Sequence, residues 1–509
     1  MFINYIRKGK HLLAITCFAC ITTLVCSCKK LVDVGEPLTS LTTTKTFSTN
    51  SLANAAVAGL YSQMMTNSGS MLFSNGSTTI YAGLSADELI NFSGTTAPEE
   101  YQFFSNQLFK DNSIAYNAFW QPAYKLIYGA NSAIEAIEKS TSTQLFDSTR
   151  KVLTGEAKFI RAFSYFYLTN LFGDVPLVTT SDFTQTASMK RTSQAEVYDQ
   201  MVLDLKDAQQ LLLSDYSTAK GERVRVNKWA ATALLARVYL YQQNWAAAEE
   251  AAGAVIGNGQ YSLLSDLSKV FLKNSTESIL QLQQANTAAM PRNITWEGFN
   301  FVPDIRISGF PPADKAGLLD SATFVSYVPF LIPAYYLNPL VVNDFEPNDQ
   351  RKLIWVDSTP TPNVSPYYGA AYYFATKYVA QVATGTAITE YYMLLRLAEQ
   401  YLIRAEARAQ QNKTADAAAD LNVIRKRAGL PNTTASSQTD LLKAIAHERR
   451  IELFAEWGHR WFDLKRTGKA SEVLSVLPTK QPWSDNSLLF PISSLELTNG
   501  PGLGQNPGY

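Results

Sequence analysis

Past position 28 the chain has no cysteine: its four thiols, Cys17, Cys20, Cys26 and Cys28, all lie within the first thirty of 509 residues. The remainder can form no disulfide and offers no thiol nucleophile. Histidine is nearly as scarce, with only His11, His447 and His459. The last two are twelve apart in one apparent helix, "HERRIELFAEWGHRWFDLKR", and cannot assemble a multi-histidine zinc site. In that dense charged setting each is read as a surface or salt-bridged residue rather than a triad base. Also absent are G-x-x-x-x-G-K-[ST], G-x-S-x-G, and a G-x-G-x-x-G that opens a helix after a strand. There is no excess of either charge, with 44 Lys+Arg against 44 Asp+Glu, and no basic stripe, which argues against nucleic acid as a partner. No catalytic residue, metal ligand or cofactor is assigned. Sequence spacing cannot reveal a glycosidase-type carboxylate pair, so a surface glycoside hydrolase stays open as an alternative.

The crowded cysteines have a context. Arg7, Lys8 and Lys10 precede an uncharged run over 12–27, shorter than the roughly 20 residues of a transmembrane helix and laid out like a secretory signal. The run ends in Val25-Cys26-Ser27-Cys28, which resembles a bacterial lipobox. Residues 1–27 are then a lipoprotein signal peptide, Cys28 the lipid-attachment residue, and 28–49, rich in Ser and Thr, a lipid-anchored tether. Acyl chains stabilise membrane attachment by about 0.8 kcal/mol per buried methylene, so several together anchor a protein durably. Loss of three basic residues with the signal leaves a small acidic excess.

What is present is helical periodicity. Residues 51–65 carry Leu52, Ala56, Gly59, Leu60 and Gln63 at three- and four-residue steps, with a cap near Thr49 or Asn50. Further helices are predicted from Trp120 through Ile137, from a Thr154 N-cap to a stop at Gly173, over 194–213 and over 228–243. A small-x2-aromatic pattern with a later A-x3-A is seen at Ala236, Tyr239, Ala248, Ala252 and Val255. Identical spacing returns at Ala405, Arg408, Ala417, Leu421 and Ile424. This is close to the core of the tetratricopeptide repeat, with generic helical hairpins as the alternative. The predicted fold class is mainly α, a TPR-like helix-pair scaffold discontinuous in sequence with a large irregular, loop-rich ligand-binding subdomain. The scaffold takes in 50–257, with an inserted loop at 66–115, and 389–470; 471–509 is irregular.

Between the two halves lies 258–388, dense in proline and aromatic residues. Long helices are excluded there, and loops this aromatic on a rigid scaffold are usually functional. Flat rings beside amides and carboxylates suit sugars, whose C–H faces stack while their hydroxyls take directional hydrogen bonds.

Several segments in this order resemble the SusD/RagB family of outer-membrane nutrient-binding lipoproteins: the lipobox at Cys28; "EAKFIRAFSYFYLTNLFGDVPLV" from 156; "LLRLAEQYLIRAEARA" from 394; "LNVIRKRAGLP" from 421; "HERRIELFAEWGHRWFDLKRTGK" from 447; and the terminal "LLFPISSLELTNGPGLGQNPGY". Each also reads as scaffold, with Ile451, Phe454, Gly458, Trp461 and Phe462 an apolar stripe and Arg449, Arg450, Glu452, Glu456 and Asp463 a charged lattice at helical spacing. The resemblance implies a non-catalytic, surface-exposed receptor, lipid-anchored in the outer membrane. It would capture a glycan or oligosaccharide, or sometimes a peptide, and deliver it to a SusC-like TonB-dependent β-barrel transporter. Family ligand residues are not fixed in type, so only positions transfer. The loop at 66–115 then supplies Asn91, Phe92 and Tyr101, and the middle block Trp296, Trp355 and Tyr367, as ligand-binding candidates. No tryptophan lies in that first loop, which argues against a broad stacking platform for a helical α-glucan. A purely structural TPR-like adaptor for proteins is the other alternative.

Overall fold

A computed structural model describes residues 43–65, 71–284, 286–287, 290–291, 294–380, 387–500 and 502–509. The signal, Cys28 and most of the tether lie outside them. The helices that matter here are α1 (Asn50–Met65), α2 (Pro98–Ser105), α3 (Gln121–Lys139), α4 (Asp147–Phe172), α5 (Gln194–Leu211), α6 (Lys228–Tyr241) and α7 (Trp245–Gly257). After the central block come α9 (Leu397–Gln410), α10 (Thr414–Arg427), α11 (Gln438–Glu452) and α12 (His459–Arg466), with α8 (Ser321–Leu331) inside that block. Besides a short hairpin of Asn286–Thr287 with Met290–Pro291, three antiparallel ladders matter here: β1 (Leu89–Asn91) with β3 (Tyr335–Leu337), β2 (Ser278–Leu282) with β6 (Tyr392–Arg396), and β4 (Val356–Pro360) with β5 (Ala371–Ala375).

α4 is the axis of the scaffold. Its predicted Thr154 start is corrected to Asp147, because two exposed polar turns precede the apolar ones; Arg150 there donates to the carbonyls of Ile137 (2.7 Å) and Leu145 (3.0 Å). From Gly155 to Phe172 nearly every side chain is buried, as expected of a helix apolar on all faces. Gly173 closes it at φ 73°, a conformation that favours glycine. α1 is capped by Thr49, whose Oγ1 accepts from Leu52 N, but it buries Ala53, Val57, Leu60 and Met64. The predicted face shares only Leu60 with it, since two phases of the helix carry apolar residues and the bulkier one turns inward.

The helices pack as a stack in which α4 touches α3 and α5, α6 lies between α5 and α7, and α9 touches α10 and α11. The two pattern-matched pairs, α6/α7 and α9/α10, meet directly through α7 against α9, although all of 258–396 separates them in sequence. Ala248, Ala251 and Ala252 on α7 and Ala398, Ala405 and Ala407 on α9 are buried. Small side chains let helix axes approach closely. The fully buried β2–β6 ladder brings the central block back into the scaffold.

Two expectations change. The 66–115 segment is not an open loop: from Leu72 to Leu89 it is interior, including the polar run Ser74 to Thr79. Its polar groups are largely satisfied locally, Ser74 Oγ donating to Met64 O (2.7 Å), Asn75 Nδ2 to Met65 O (3.0 Å) and Thr78 Oγ1 to Phe73 O (2.7 Å). The "HERRIELFAEWGHRWFDLKR" stretch is two helices, α11 and α12, separated by a turn with positive φ at Ala455, Trp457 and Gly458. His459 is buried rather than on the surface, and burial pushes its imidazole down to about 4.

The turn delivers Glu456 into a buried ionic cluster. Arg396 donates to Glu456 Oε2 (2.8 Å), Glu452 Oε1 (2.6 Å) and Glu277 Oε1 (3.0 Å). Lys377 reaches Glu456 (2.5 Å), Arg427 pairs with Glu277 (2.8 Å) and with Glu452, and Arg351 pairs with Asp349, Glu448 and Glu452. Burial would raise the Glu452 carboxyl, but Arg427, Arg396 and Arg351 outweigh it and hold it well below the usual carboxylate range. Arg351 and Lys377 belong to the central block and the other cations to the scaffold, so the cluster fastens one to the other.

Candidate functional site

The β1–β3 ladder sorts its residues by side. Asn91 and Tyr335 are paired and buried, whereas Ile90 and Tyr336 are paired and half-buried. Phe92 follows β1, its N–H donating to Ala334 O (2.9 Å). In the β4–β5 ladder Thr359 faces Tyr372. These pieces converge: the Tyr372 ring is edge-on to Phe92 (5.7 Å between centroids, 83°) and to Tyr336 (5.0 Å, 77°). Three rings from three separated segments thus form one shelf.

Beneath it lies a small satellite core of Ile307, Phe324, Leu331 and Ile332. Tyr367 packs edge-on against Phe324 (5.2 Å, 72°), and Thr359 Oγ1 donates to Leu331 O (2.6 Å). Tyr327, Phe330 and Tyr368 are large exposed rings on the same α8 and β4–β5 region. Polar function is supplied on β4 by Asp357, which accepts from Arg306 Nη2 (2.8 Å) and Ser308 Oγ (2.6 Å). Burial pushes its carboxyl up, but those hydrogen bonds outweigh it and keep it ionised below the ordinary range. Burial, with Tyr372 beside it, raises the Tyr336 hydroxyl to about 12, so it stays a neutral donor and acceptor. Partly exposed rings next to a carboxylate, a guanidinium and hydroxyls can offer π surface to the C–H groups of a sugar and hydrogen-bond its rim.

The predicted residues scatter. Phe92 is on the shelf and Tyr367 beside it. Asn91 spends both ends of its amide internally, donating to Glu100 Oε2 (2.7 Å) and accepting from Ser93 N (2.8 Å), so it shapes the turn that presents Phe92. Tyr101 is on α2 and rests on Phe104 (5.8 Å). Trp296 is half-buried over Gly76, where an added Cβ would come within 2.8 Å of the tryptophan Cβ. Trp355 leaves the candidate set: it is 1% exposed, its Nε1 donates to Leu267 O (3.0 Å), and the Lys377 ammonium lies 4.8 Å over its ring. A ring closed in on both faces has none to offer a ligand.

Tyr336 and Tyr372 were missed as individual candidates, although both are in the aromatic block. Strand alternation in "YYL" turns Tyr336 outward, but "AYYFA" does not alternate in burial, so Tyr372 left no such signal. Among the described residues no group of three or more His, Cys, Asp or Glu side chains is placed to hold a metal ion, and no helix is long and apolar enough to cross a membrane.

The chain matches the SusD family model over 208–509, and a second model, described as starch-binding associating with outer membrane, over 39–240. It is 27% identical to SusD-like protein P38 of Formosa agariphila, over 95% of this chain and 96% of that one. It is 22% identical to the starch-binding protein SusD of Bacteroides thetaiotaomicron, over 70% and 72%. Among solved structures, a laminarin-binding SusD-like protein superposes with a TM-score of 0.71 at 26% identity, covering 91% of this chain and all of that one. A SusD superfamily protein from Bacteroides vulgatus superposes at 0.72 with 21% identity, over 90% and 99%, which speaks for the fold.

Proposed function

The chain belongs to the SusD family, and from that premise we propose that it is a glycan-capturing receptor of the outer-membrane surface. It is anchored through Cys28, holds a short oligosaccharide on the Phe92–Tyr336–Tyr372 shelf, and passes it to a SusC-like TonB-dependent β-barrel. Capture without turnover fits a site made of rings, hydroxyls and one structural ion pair.

The observation that carries the reading is the junction of the three rings at 5.0 and 5.7 Å, with further exposed rings around it. Support comes from relatives and neighbours described as binding starch or laminarin. The shelf rings meet edge-on rather than lying in one plane, which suits a few sugar units better than a long flat helix of glucan.

The test is retention of the full-length chain on gels containing laminarin, starch or no polymer, alongside recovery of partners from gently solubilised outer membranes. Retention by a neutral glycan that is lost in Phe92→Ala/Tyr372→Ala, together with a stoichiometric β-barrel, supports the proposal. Retention unchanged by that double substitution removes the shelf from it, and recovery with soluble partners only argues for an adaptor.

A further inference from the structure

A separate cleft lies elsewhere. About 710 Å³ opens between α2, the segment that follows it, and the C-terminal chain, a size ordinary for small-molecule sites. Its walls include Gln102, Asn106, Phe109, Asn486, Ser487 and Tyr509. We propose that this cleft is a second carbohydrate-binding site, separate from the shelf, that takes a short neutral stretch of the same glycan. The inference rests on the glycan-binding reading above.

Asn106 points to a ligand. It closes α2 in a left-handed conformation (φ 56°) and is only 5% exposed, yet its Oδ1 is buried with no hydrogen-bond partner. An orphaned buried acceptor is destabilising, and a ligand hydroxyl reached by a small rotation of the amide would satisfy it. Phe109 lies on the same wall and is 66% exposed, an apolar face on a rigid support. That support is fixed by Gln102, whose Oε1 accepts from Phe109 N (3.0 Å) and from Asn112 Nδ2 (2.9 Å), and by Glu99, which accepts from Ser113 Oγ (2.6 Å).

The opposite wall is equally tied down. Tyr509 donates to Leu489 O (2.8 Å), and Gly508 lies so close to Asn486 that an added Cβ would approach it to 2.7 Å. Of the two carboxylates in its lining, Asp111 and Glu99, Lys110 offsets one. A preformed cleft of amides, hydroxyls and one open ring, with a single net negative charge and its Glu99 carboxylate already engaged by Ser113, matches a neutral sugar better than an anion.

α2 also relates the two sites. Its first turn holds Glu100, which Asn91 ties to the strand leading into Phe92, and its last residue adjoins Asn106. Eight residues of helix span about 12 Å, so α2 links the supports of the two sites, and an oligosaccharide occupying both would gain affinity from each.

The experiment is hydrogen exchange on the full-length chain, alone and with saturating laminarihexaose or maltohexaose. It compares wild type, Phe92→Ala/Tyr372→Ala and Phe109→Ala, the last altering an exposed ring that the fold does not need. Slowed exchange at 104–112 and 482–487 that survives in the shelf variant, with affinity at least fivefold weaker in Phe109→Ala, supports the second site. Protection at the shelf with none at 104–112 overturns the second site and leaves the shelf standing. Protection at 104–112 alone supports the cleft while overturning the shelf. Protection by an acidic or basic peptide but by neither hexasaccharide assigns the cleft to a protein partner and overturns the inference; silence of both sugars at both places overturns it together with the reading beneath it.

Discussion

Arg396 on β6 and Glu452 at the end of α11 meet at 2.6 Å, each no more than 2% exposed. They join the strand on which the chain re-enters the scaffold to the helix that precedes the α11–α12 turn. Removing one member of a buried pair leaves an uncompensated charge and costs about 3–5 kcal/mol. Arg396→Met takes one partner from each of Glu277, Glu452 and Glu456, which keep Arg427, Arg351 and Lys377 between them, so denaturant unfolding is expected to show a loss at the lower end of that range. A loss under 1 kcal/mol would mean the cluster is hydrated rather than dry.

Trp355→Ala is expected to destabilise by about 3–5 kcal/mol, the usual cost of emptying a buried aromatic site. Glycan affinity of the fraction still folded should stay within twofold of wild type. A tenfold loss of affinity at unchanged melting temperature would put this ring back among the ligand residues.

Tyr372→Ala makes the opposite prediction. The ring is half-buried at the meeting point of Phe92 and Tyr336, so stability should change little while binding of neutral oligosaccharide weakens about tenfold, about 1.4 kcal/mol. Titration calorimetry beside a melting curve separates the two.

Acid should weaken the fold in part through His459. Its folded value is about 4, against about 6.5 unfolded, so between those values the unfolded chain binds the proton that the folded chain refuses. The stability it lends is whole above pH 6.5 and is lost as pH falls toward 4, on the order of 3 kcal/mol. His459→Gln should therefore lose less stability than wild type over that interval, and parallel curves would contradict the assignment.

Gly458 and Gly468 share φ 67°, but only Gly458 is confined, with Ala82 Cβ 2.4 Å from where its own Cβ would be. Gly468→Ala should cost about 1 kcal/mol from backbone strain alone. Gly458→Ala adds a core clash worth a further 1–3 kcal/mol. Equal costs would show that the turn after α11 yields.

Helix pairs were legible because Ala236/Ala248 and Ala405/Ala417 carry a spacing that only helical hairpins need. The phase of α1 was not, since nothing local chooses between Ala53–Val57–Leu60 and Leu52–Ala56–Leu60. The polar segment Ser74 to Thr79 looks like a surface loop because its hydrogen bonds close on backbone carbonyls, which leave no trace in composition. Trp355 and Tyr372 lie in the same aromatic block; one is sealed by Phe271 and Lys377 and the other is not. That difference depends on long-range packing alone. The ionic cluster resembles an exposed helical lattice in sequence because the break at Ala455–Gly458, which turns Glu456 inward, reads as two ordinary residues and a glycine.

The direct packing of α7 on α9 makes the whole central block a cartridge plugged into a finished socket. Its two ends emerge side by side, and doubling the length of such an excursion costs only about 0.6 kcal/mol in closure entropy. The block can therefore vary in length and content without redesign of the helices. The key that any replacement must keep is a pair of cations, Arg351 and Lys377, cut to fit the carboxylates of Glu452 and Glu456.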